Sequence, residues 1–185
     1  MTGDPQTGET SAFLKRMISE DRYNAWCVDC QRNRSSHCNV TFGTFVCTDC
    51  AMTHRETYPM HECYIKPIFG ECWDTFQIRV VEIGGNKQFF DFLSEYQKER
   101  DIISAKYCSN PAQYYRRMLA SWVQGKRFDE ERPARNWSEY VNKKNEQYQI
   151  SDKASSAYES TKSGLMSLWS KVTGPAEGES QGAPA

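Results

Sequence analysis

Two pairs of cysteines with metal-ligand spacing are the residues of this chain best suited to do chemistry. Cys27 and Cys30 form one CxxC pair, Cys47 and Cys50 form a second, and sixteen residues separate the pairs. Each pair can offer two thiolates to one metal ion, and two pairs can close a tetrahedral four-sulfur zinc site. Because protein sulfurs fill all four positions, such an ion has no open position for water or substrate. The pattern therefore predicts one structural zinc ion.

The remaining cysteines and the histidines are weaker candidates for metal or nucleophilic chemistry. They are Cys38, Cys63, Cys72, Cys108, His37, His54 and His61. An isolated cysteine behaves as a small hydrophobic residue, and a histidine ligand is unnecessary where four sulfurs are available. We expect these histidines to serve in packing or hydrogen bonding. Paired catalytic carboxylates, a serine elbow and a phosphate-binding glycine loop do not accompany them, so conventional hydrolase chemistry has no support.

Length and charge limit the class of protein. The chain has 185 residues, of which 38% are hydrophobic, and a formal net charge of -1. This is enough for one core of about 100 to 150 residues and a tail. The charge argues against a protein that binds nucleic acid by coating it with positive charge, and we expect the basic excess in residues 97–135 to be a solvated helix face.

The compartment predicted from the sequence is reducing. The N-terminal residues are polar, without the apolar core of a signal peptide, and no apolar run approaches a membrane-spanning length. In the cytosol, cysteine pairs of this kind bind metal rather than form disulfides. We therefore expect a cytoplasmic protein.

Short helices are predicted around the zinc segment. The first follows Ser11, and a short strand at residues 44–46 follows a turn at Gly43. Further helices are predicted at residues 51–55 and at residues 74–83, the second with Phe76 on its buried face. Asn86 is predicted to cap the next helix. The last one begins at Asn110-Pro111, ends before Gly125 and has Trp122 on its buried side. The predicted fold class is α+β and mostly helical, with a short central sheet.

The composition divides the chain into five segments. Residues 1–10 are predicted to be disordered, 11–137 to form the zinc domain, 138–150 a linker, 151–173 an amphipathic serine-rich helix, and 174–185 a disordered tail.

Several motifs, the two cysteine pairs included, resemble one family. They are CVDC and CTDC, then Ala51-Met52-Thr53-His54-Arg55, Gly84-Gly85-Asn86, and, over residues 83–137, IGGNKQFFDFL, Lys106-Tyr107, YYRRML, QGKRF and PARNW. Together they resemble the zinc domain of Arf GTPase-activating proteins, most closely the Golgi-type branch, over residues 12–137. The cysteine spacing alone also fits GATA-like and other treble-clef modules.

The resemblance implies a GTPase activator rather than an enzyme with its own substrate. It assigns Arg55 the role of an arginine finger, inserted in trans into the nucleotide site of an Arf-type GTPase in its GTP form. Arginine stays charged and offers several fixed donors to the transferring phosphoryl group. The implied setting is Golgi and vesicle transport, with coat proteins as further candidate partners.

Three departures from the family pattern lie around the surface that the resemblance assigns to GTPase binding. His37 replaces a tryptophan, the loop at residues 56–60 is one residue longer before His61, and Lys66 replaces an arginine, whereas Trp73 is kept. They leave a second interpretation open, a catalytically weak zinc module that binds Arf or coat components. A third, a GATA-like nucleic-acid binder, is the weakest.

Residues 151–173 carry an apolar face opposite a serine face. The apolar face is formed by Ala154, Ala157, Tyr158, Thr161, Leu165, Leu168, Trp169 and Val172. The segment has few charges, so insertion of apolar side chains is the only strong membrane interaction available to it. This resembles the lipid-packing sensors of the Golgi-type branch and implies peripheral binding to curved Golgi or vesicle membranes. The alternative is a helix docked on its own domain by Leu165, Leu168 and Trp169.

Overall fold

The computed structural model describes residues 5–173, with side chains given for residues 10–149 and 151–168. The elements are α1 (Pro5–Glu20), β1 (His37–Asn39), β2 (Thr44–Val46), α2 (Thr48–Thr57), β3 (Ile65–Pro67), α3 (Thr75–Ile83), α4 (Asn86–Ser94), α5 (Ile103–Lys106), α6 (Asn110–Val123) and α7 (Trp137–Thr173). They form two compact units, one ending at Arg135 and one beginning at Asn136. The predicted class, mostly helical with a small sheet, is confirmed.

The sheet is antiparallel, with strand order β2-β1-β3. Cys38, in the middle of β1, pairs with Phe45 of β2 and with Lys66 of β3. The predicted strand at residues 44–46 is β2, and the turn at Gly43 is also present, with φ +63°. The other two strands, β1 and β3, have three residues each, too few for an alternating pattern to reveal them.

Two apolar clusters form the core. The larger one lies under the zinc segment and includes Phe42, Phe89 and Tyr107. Phe42 meets Tyr107 edge to face, with ring centroids 4.9 Å apart, while Phe89 stacks on Tyr107 at 5.5 Å. The smaller cluster holds Leu14 of α1 against Trp73 and the apolar side chains of the sheet. Aromatic contacts of this kind fix ring orientation as well as bury area.

The caps of two helices explain where they begin. The Asp74 carboxylate accepts a hydrogen bond from the backbone N–H of Gln77, and the backbone N–H of Asp74 donates to the Gln77 side chain, which completes a capping box, so α3 begins one residue later than predicted. Ser109 caps α6 with its hydroxyl, which accepts a hydrogen bond from the backbone N–H of Ala112. Phe76 and Trp122 were predicted to be buried, but they are 51% and 39% exposed, because α3 and α6 pack against the core on one side only. That part of the core prediction is wrong.

Gly43 and Gly84 bring β2 and α3 into backbone contact. A Cβ on Gly43 would lie 2.7 Å from the carbonyl oxygen of Val80, and a Cβ on Gly84 would lie 2.8 Å from that of Gly43. Gly85, with φ +103°, donates from its backbone N–H to the same Gly43 oxygen at 2.7 Å. Only glycine permits this approach.

The prediction that Asn86 caps α4 is wrong. The cap position belongs to Gly85, and Asn86 is the first helical residue. Its buried side chain accepts from the backbone N–H of Phe45 at 2.7 Å and donates to the carbonyl oxygens of Tyr23, Trp26 and Phe45. Asn86 therefore joins α4 to β2 and to the segment before the first cysteine pair.

Helical structure extends beyond the predicted bounds at both ends. Helix α1 begins at Pro5 rather than at Ser11, and α7 runs without a break through residues 138–150, which were predicted to be a linker. Glycine and proline are absent from residues 138–150, so nothing there stops a helix. Residues 1–4 and 174–185 lie outside the described part of the chain. Among the described residues, no helix is both long and apolar enough to cross a membrane.

Candidate metal centre and the arginine beside it

Backbone hydrogen bonds bring the two cysteine pairs together. Gln31 N–H donates to the oxygen of Cys27 at 2.9 Å and closes the first pair into a knuckle, with Gln31 at φ 53°. Val28 N–H donates to the oxygen of Phe45 at 3.0 Å and fastens this knuckle to β2. The second pair lies where β2 ends and α2 begins, with Cys47 at the helix N-cap.

The four sulfurs have the spacing of a tetrahedral zinc site. Four sulfurs about 2.3 Å from one zinc ion lie about 3.8 Å apart. Cys30 Sγ and Cys47 Sγ are 3.8 Å apart, and the ligand atoms of Cys27, Cys30, Cys47 and Cys50 all lie within 4.8 Å of one another. All four are free of disulfides. The four cysteines are thus positioned to bind one metal ion, and four thiolates favour zinc.

The thiols of the cluster also hydrogen-bond to one another. A hydrogen bond from Cys50 lowers the pKa of Cys27 to about 5, while the same interaction raises the pKa of Cys50. This hydrogen bond thus favours the thiolate of Cys27 and the protonated thiol of Cys50. Asn33 Nδ2 lies 3.8 Å from Cys47 Sγ and 3.1 Å from Asp49 Oδ2, so an amide is available to support a thiolate.

A buried carboxylate lies between the first two ligands. Asp29 accepts hydrogen bonds from His54 Nε2 at 2.9 Å, Lys106 Nζ at 2.9 Å and the hydroxyl of Tyr107 at 3.0 Å. Burial alone would raise the pKa of Asp29, but the hydrogen bond from His54 and the charge of Lys106 outweigh it and lower that pKa. The carboxylate is therefore ionised and joins the zinc knuckle to α2 and α5.

His54 is a hydrogen-bonding residue, as predicted, and lies outside the four-sulfur cluster. Burial raises the pKa of Cys63 to about 12, so its thiol keeps a proton. Cys63 Sγ lies 3.3 Å from His54 Nδ1 and can donate to it, while Asn39 Nδ2 donates to Cys63 Sγ at 3.2 Å. This chain of contacts fixes the ring of His54 with its Nε2–H directed at Asp29.

Arg55 follows His54 on the helix and points the other way. Successive helical residues are turned about 100° from each other, so a buried His54 leaves Arg55 at the surface, where it is exposed. Its Nη2 donates to the carbonyl oxygen of Ile65, in β3, at 3.3 Å. Helix α2 itself is held at its N-terminal end by Cys47 and Cys50 and at its C-terminal end by His54. The guanidinium is thus exposed on a rigidly mounted helix.

His37 shares the surroundings of Arg55. Its Nδ1 lies 2.9 Å from the hydroxyl of Ser36, and the residue is half-buried on β1. Burial lowers the pKa of His37, the positive charge of Arg55 lowers it further, and Glu71 acts in the opposite direction. The imidazole is therefore predominantly neutral at pH 7.

The other two departures from the family pattern have structural roles. Lys66 is buried, donates from Nζ to Gln77 Oε1 at 2.9 Å and to the oxygen of Cys72, and lies 5.3 Å from the centroid of the Trp73 ring. In the longer loop, the hydroxyl of Tyr58 donates to the oxygens of Ile103 and Ser104 at 3.0 and 2.9 Å. Lys66 holds the start of α3, and Tyr58 ties the loop to α5.

Sequence reasoning missed Asp29, Lys106 and Tyr107 as supports of the site. Asp29 lies inside a CxxC pair, and the buried lysine lies 77 positions away. A lysine next to a tyrosine in a short helix carries no periodic signal. The available signal was the occurrence of both Asp29 and the Lys106-Tyr107 pair within motifs shared with the family.

Comparison with known proteins identifies a family match. Residues 11–132 match the ArfGap family model, described as "Putative GTPase activating protein for Arf". Proteins named ADP-ribosylation factor GTPase-activating protein 3 from Pongo abelii and Bos taurus are 32% and 31% identical over 120 and 118 residues, which cover 64% and 63% of this chain. The chain spans 23% and 22% of their lengths.

A solved structure has the same fold. It is described as a "putative GTPase activating protein for ADP ribosylation factor" from Cryptosporidium parvum, with a TM-score of 0.55 and 19% identity, and covers 65% of this chain and 98% of its own. The family model matches well over half of the chain, the four ligand cysteines included. This chain belongs to the ArfGap family of zinc-containing domains.

Proposed function

We propose that this chain accelerates GTP hydrolysis by an Arf-type GTPase in its GTP form, with Arg55 as an arginine finger acting in trans. The observation that carries the proposal is the position of Arg55 on a helix that its neighbouring residues hold in place. Its guanidinium is exposed, while the residue before it is fully buried and bonded to Asp29, and the helix begins at two zinc ligands. A cation held in this way loses little conformational freedom when it docks.

The chemistry expected of Arg55 is electrostatic. As the γ-phosphoryl group transfers, charge spreads over oxygens that a planar guanidinium can bind with several donors. Arg55 gives one hydrogen bond to Ile65 in this structure and has four further N–H donors. The GTPase would supply the nucleotide, the magnesium ion and the glutamine that positions water. The zinc ion would hold Cys27, Cys30, Cys47 and Cys50 in place and take no part in the reaction.

Single-turnover GTP hydrolysis by a myristoylated Arf-type GTPase on liposomes tests the proposal. Arg55→Ala should lower the stimulated rate at least about a hundredfold, because trans-acting fingers contribute about 10³ to 10⁵ in rate. Arg55→Lys should recover little of it, since an ammonium lacks the fork of donors. Arg100→Ala removes another exposed arginine and serves as a matched control that keeps the wild-type rate. Equal rates for wild type and Arg55→Ala, with zinc content intact, would exclude the finger.

A second candidate function is a module that binds the GTPase without accelerating hydrolysis. The inward position of Lys66 favours it, because its ammonium is already used by Gln77 and Cys72. The same assay separates the two functions. Binding of the GTP-loaded GTPase with an unchanged hydrolysis rate would identify the non-catalytic module.

We also propose that residues 151–173 place the protein peripherally on curved Golgi or vesicle membranes. Support comes from the described part of this segment, in which Tyr158, Leu165 and Leu168 are each more than half exposed. Serine lines the other side, so apolar insertion would dominate binding. The side chain of Trp169 lies outside the described residues.

Vesicles of two sizes test the membrane proposal. Small liposomes should recruit the protein better than large ones of the same composition, and Leu165→Glu should abolish that difference. Ser163→Glu adds the same charge to the serine face and should weaken the preference less. Indifference of the wild type to vesicle size would contradict the proposal, and coat proteins would then be the next partners to test for membrane recruitment.

A further inference from the structure

A cavity bordered by aromatic and basic side chains lies beside the first zinc knuckle. It encloses about 400 Å³ and is lined by Arg22, Tyr23, Trp26, Cys27, Val28, Gln31, Asn86 and Phe90. We call it the Trp26 pocket. Neither the proposed GTPase activation nor the zinc site requires the exposed side chains around it.

The Trp26 pocket and Arg55 lie at opposite edges of the sheet. Asn86 connects the oxygen of Trp26 to Phe45 in β2, whereas Arg55 bonds to Ile65 in β3. Strands β2 and β3 are the two edge strands, with β1 between them. A partner in the Trp26 pocket therefore leaves the surface around Arg55 accessible.

Exposed aromatic rings and arginines alternate around the pocket. Trp26 is 42% exposed, and the guanidinium of Arg34 lies 4.3 Å from the centroid of a Trp26 ring. Arg22 lies 5.0 Å from the Tyr23 ring centroid and donates to its hydroxyl at 3.1 Å. Tryptophan, tyrosine and arginine are the residues that most often dominate the binding energy of protein interfaces.

The backbone beneath these rings is fixed before any partner binds. Asn86 Nδ2 donates to the carbonyl oxygens of Tyr23 and Trp26 at 3.0 and 2.8 Å. The next residue, Cys27, is a zinc ligand and is buried. A surface ordered in advance loses less entropy on binding than a flexible one.

The exposed charge of this segment has a single sign. Residues 22–34 contain Arg22, Arg32 and Arg34, all exposed, and one acid, Asp29, whose carboxylate is buried against Lys106. No acidic side chain belongs to the lining of the pocket. Arginine pairs strongly with carboxylates, and complementary charge selects partners.

We propose that the Trp26 pocket binds an acidic peptide segment of a partner protein. An apolar or aromatic side chain of the peptide enters between Trp26, Tyr23 and Phe90, and flanking carboxylates pair with Arg22 and Arg34. Single-stranded nucleic acid fits less well, because arginine already covers the faces on which bases would stack and the chain has a net charge of -1.

Fluorescence anisotropy with the zinc-loaded 185-residue chain tests the proposal. The probe is a fluorescein-labelled peptide in which a central Trp-Leu pair is flanked on both sides by aspartates. Two matched peptides replace the aspartates by lysine or the Trp-Leu pair by alanine, and each should bind at least about tenfold more weakly. Trp26→Ala and Arg34→Glu should each weaken binding of the acidic peptide by about tenfold.

The controls separate this surface from the proposed GTPase site. Phe76→Ala removes an exposed aromatic ring from α3 and should leave peptide affinity unchanged. Trp26→Ala and Arg34→Glu should keep the wild-type zinc content and stimulated hydrolysis rate. Failure of the acidic peptide to bind, equal binding of all three peptides, or equal affinity of the two pocket variants and wild type would overturn the proposal. The proposal would also be overturned if oligothymidylate displaced the labelled peptide at a lower concentration than the unlabelled acidic peptide does.

Discussion

Lys106 carries its ammonium into the interior of the domain, with the side chain 1% exposed and Nζ 2.9 Å from Asp29 Oδ1. We predict that Lys106→Met lowers the free energy of unfolding by about 3 to 5 kcal/mol, because it leaves a buried carboxylate without its charge partner. Methionine keeps much of the volume, so lost packing contributes little. His54 and Tyr107 still donate to Asp29, which argues for the lower part of this range.

A double-mutant cycle isolates the charge interaction. Asp29→Asn removes the negative charge and keeps the shape, so the double variant Asp29→Asn, Lys106→Met has no lone buried charge. Its destabilisation should be smaller than the sum of the two single effects by about 1.5 to 3 kcal/mol. Urea unfolding followed by tryptophan fluorescence measures the four free energies, with zinc content determined for each protein. Additive effects, or a loss below about 1 kcal/mol for Lys106→Met, would refute the reasoning.

Three further predictions concern backbone, metal and pH. Gly43→Ala should cost at least about 2 kcal/mol in urea unfolding, because φ is +63° and the new Cβ would lie 2.7 Å from the Val80 oxygen; Gly125→Ala, at φ +68° with no atom within 4 Å, should cost only about 1 kcal/mol. Cys50→Ser, or removal of zinc by a chelator, should abolish the cooperative unfolding transition, since structural zinc contributes roughly 10 to 16 kcal/mol, and a retained transition in metal-free protein would contradict this. The pKa of His37 is lowered in the folded protein, so the unfolded chain binds a proton at this histidine before the folded chain does as the pH falls below the ordinary value of 6.5. Stability should therefore decline from there to the lower folded pKa, and the decline should be shallower in His37→Gln; identical slopes would contradict it.

The zinc ligands were predictable because their information is local. Two CxxC pairs can be recognised from spacing alone, and the resemblance placed Arg55 beside them. The supports of the site were not predictable in the same way. Asp29 and Lys106 meet across 77 positions of the chain, and charged residues are expected at the surface unless a partner is known.

The fold shows the same division between local and distant information. Helices α3 and α6 were predicted from their apolar faces, and α6 also from Pro111 and Gly125 at its ends, whereas β1 exists through its pairing with β2 and β3 through its pairing with β1. Asn86 has a strong local preference for a cap position, yet its side chain serves three distant carbonyl groups. Local propensity fails here because tertiary hydrogen bonds outweigh it.

The position of Asp29 between two zinc ligands has a consequence for variants found far from the metal. Substitution of Lys106 or Tyr107 removes a hydrogen bond to Asp29, which lies in the short segment between the ligands Cys27 and Cys30. Such a variant would release its zinc faster although every ligand is present. Mutational screens of this domain would thus detect loss of zinc at positions 106 and 107. The positions sensitive to substitution would include the hydrogen-bond partners of Asp29 as well as the four cysteines.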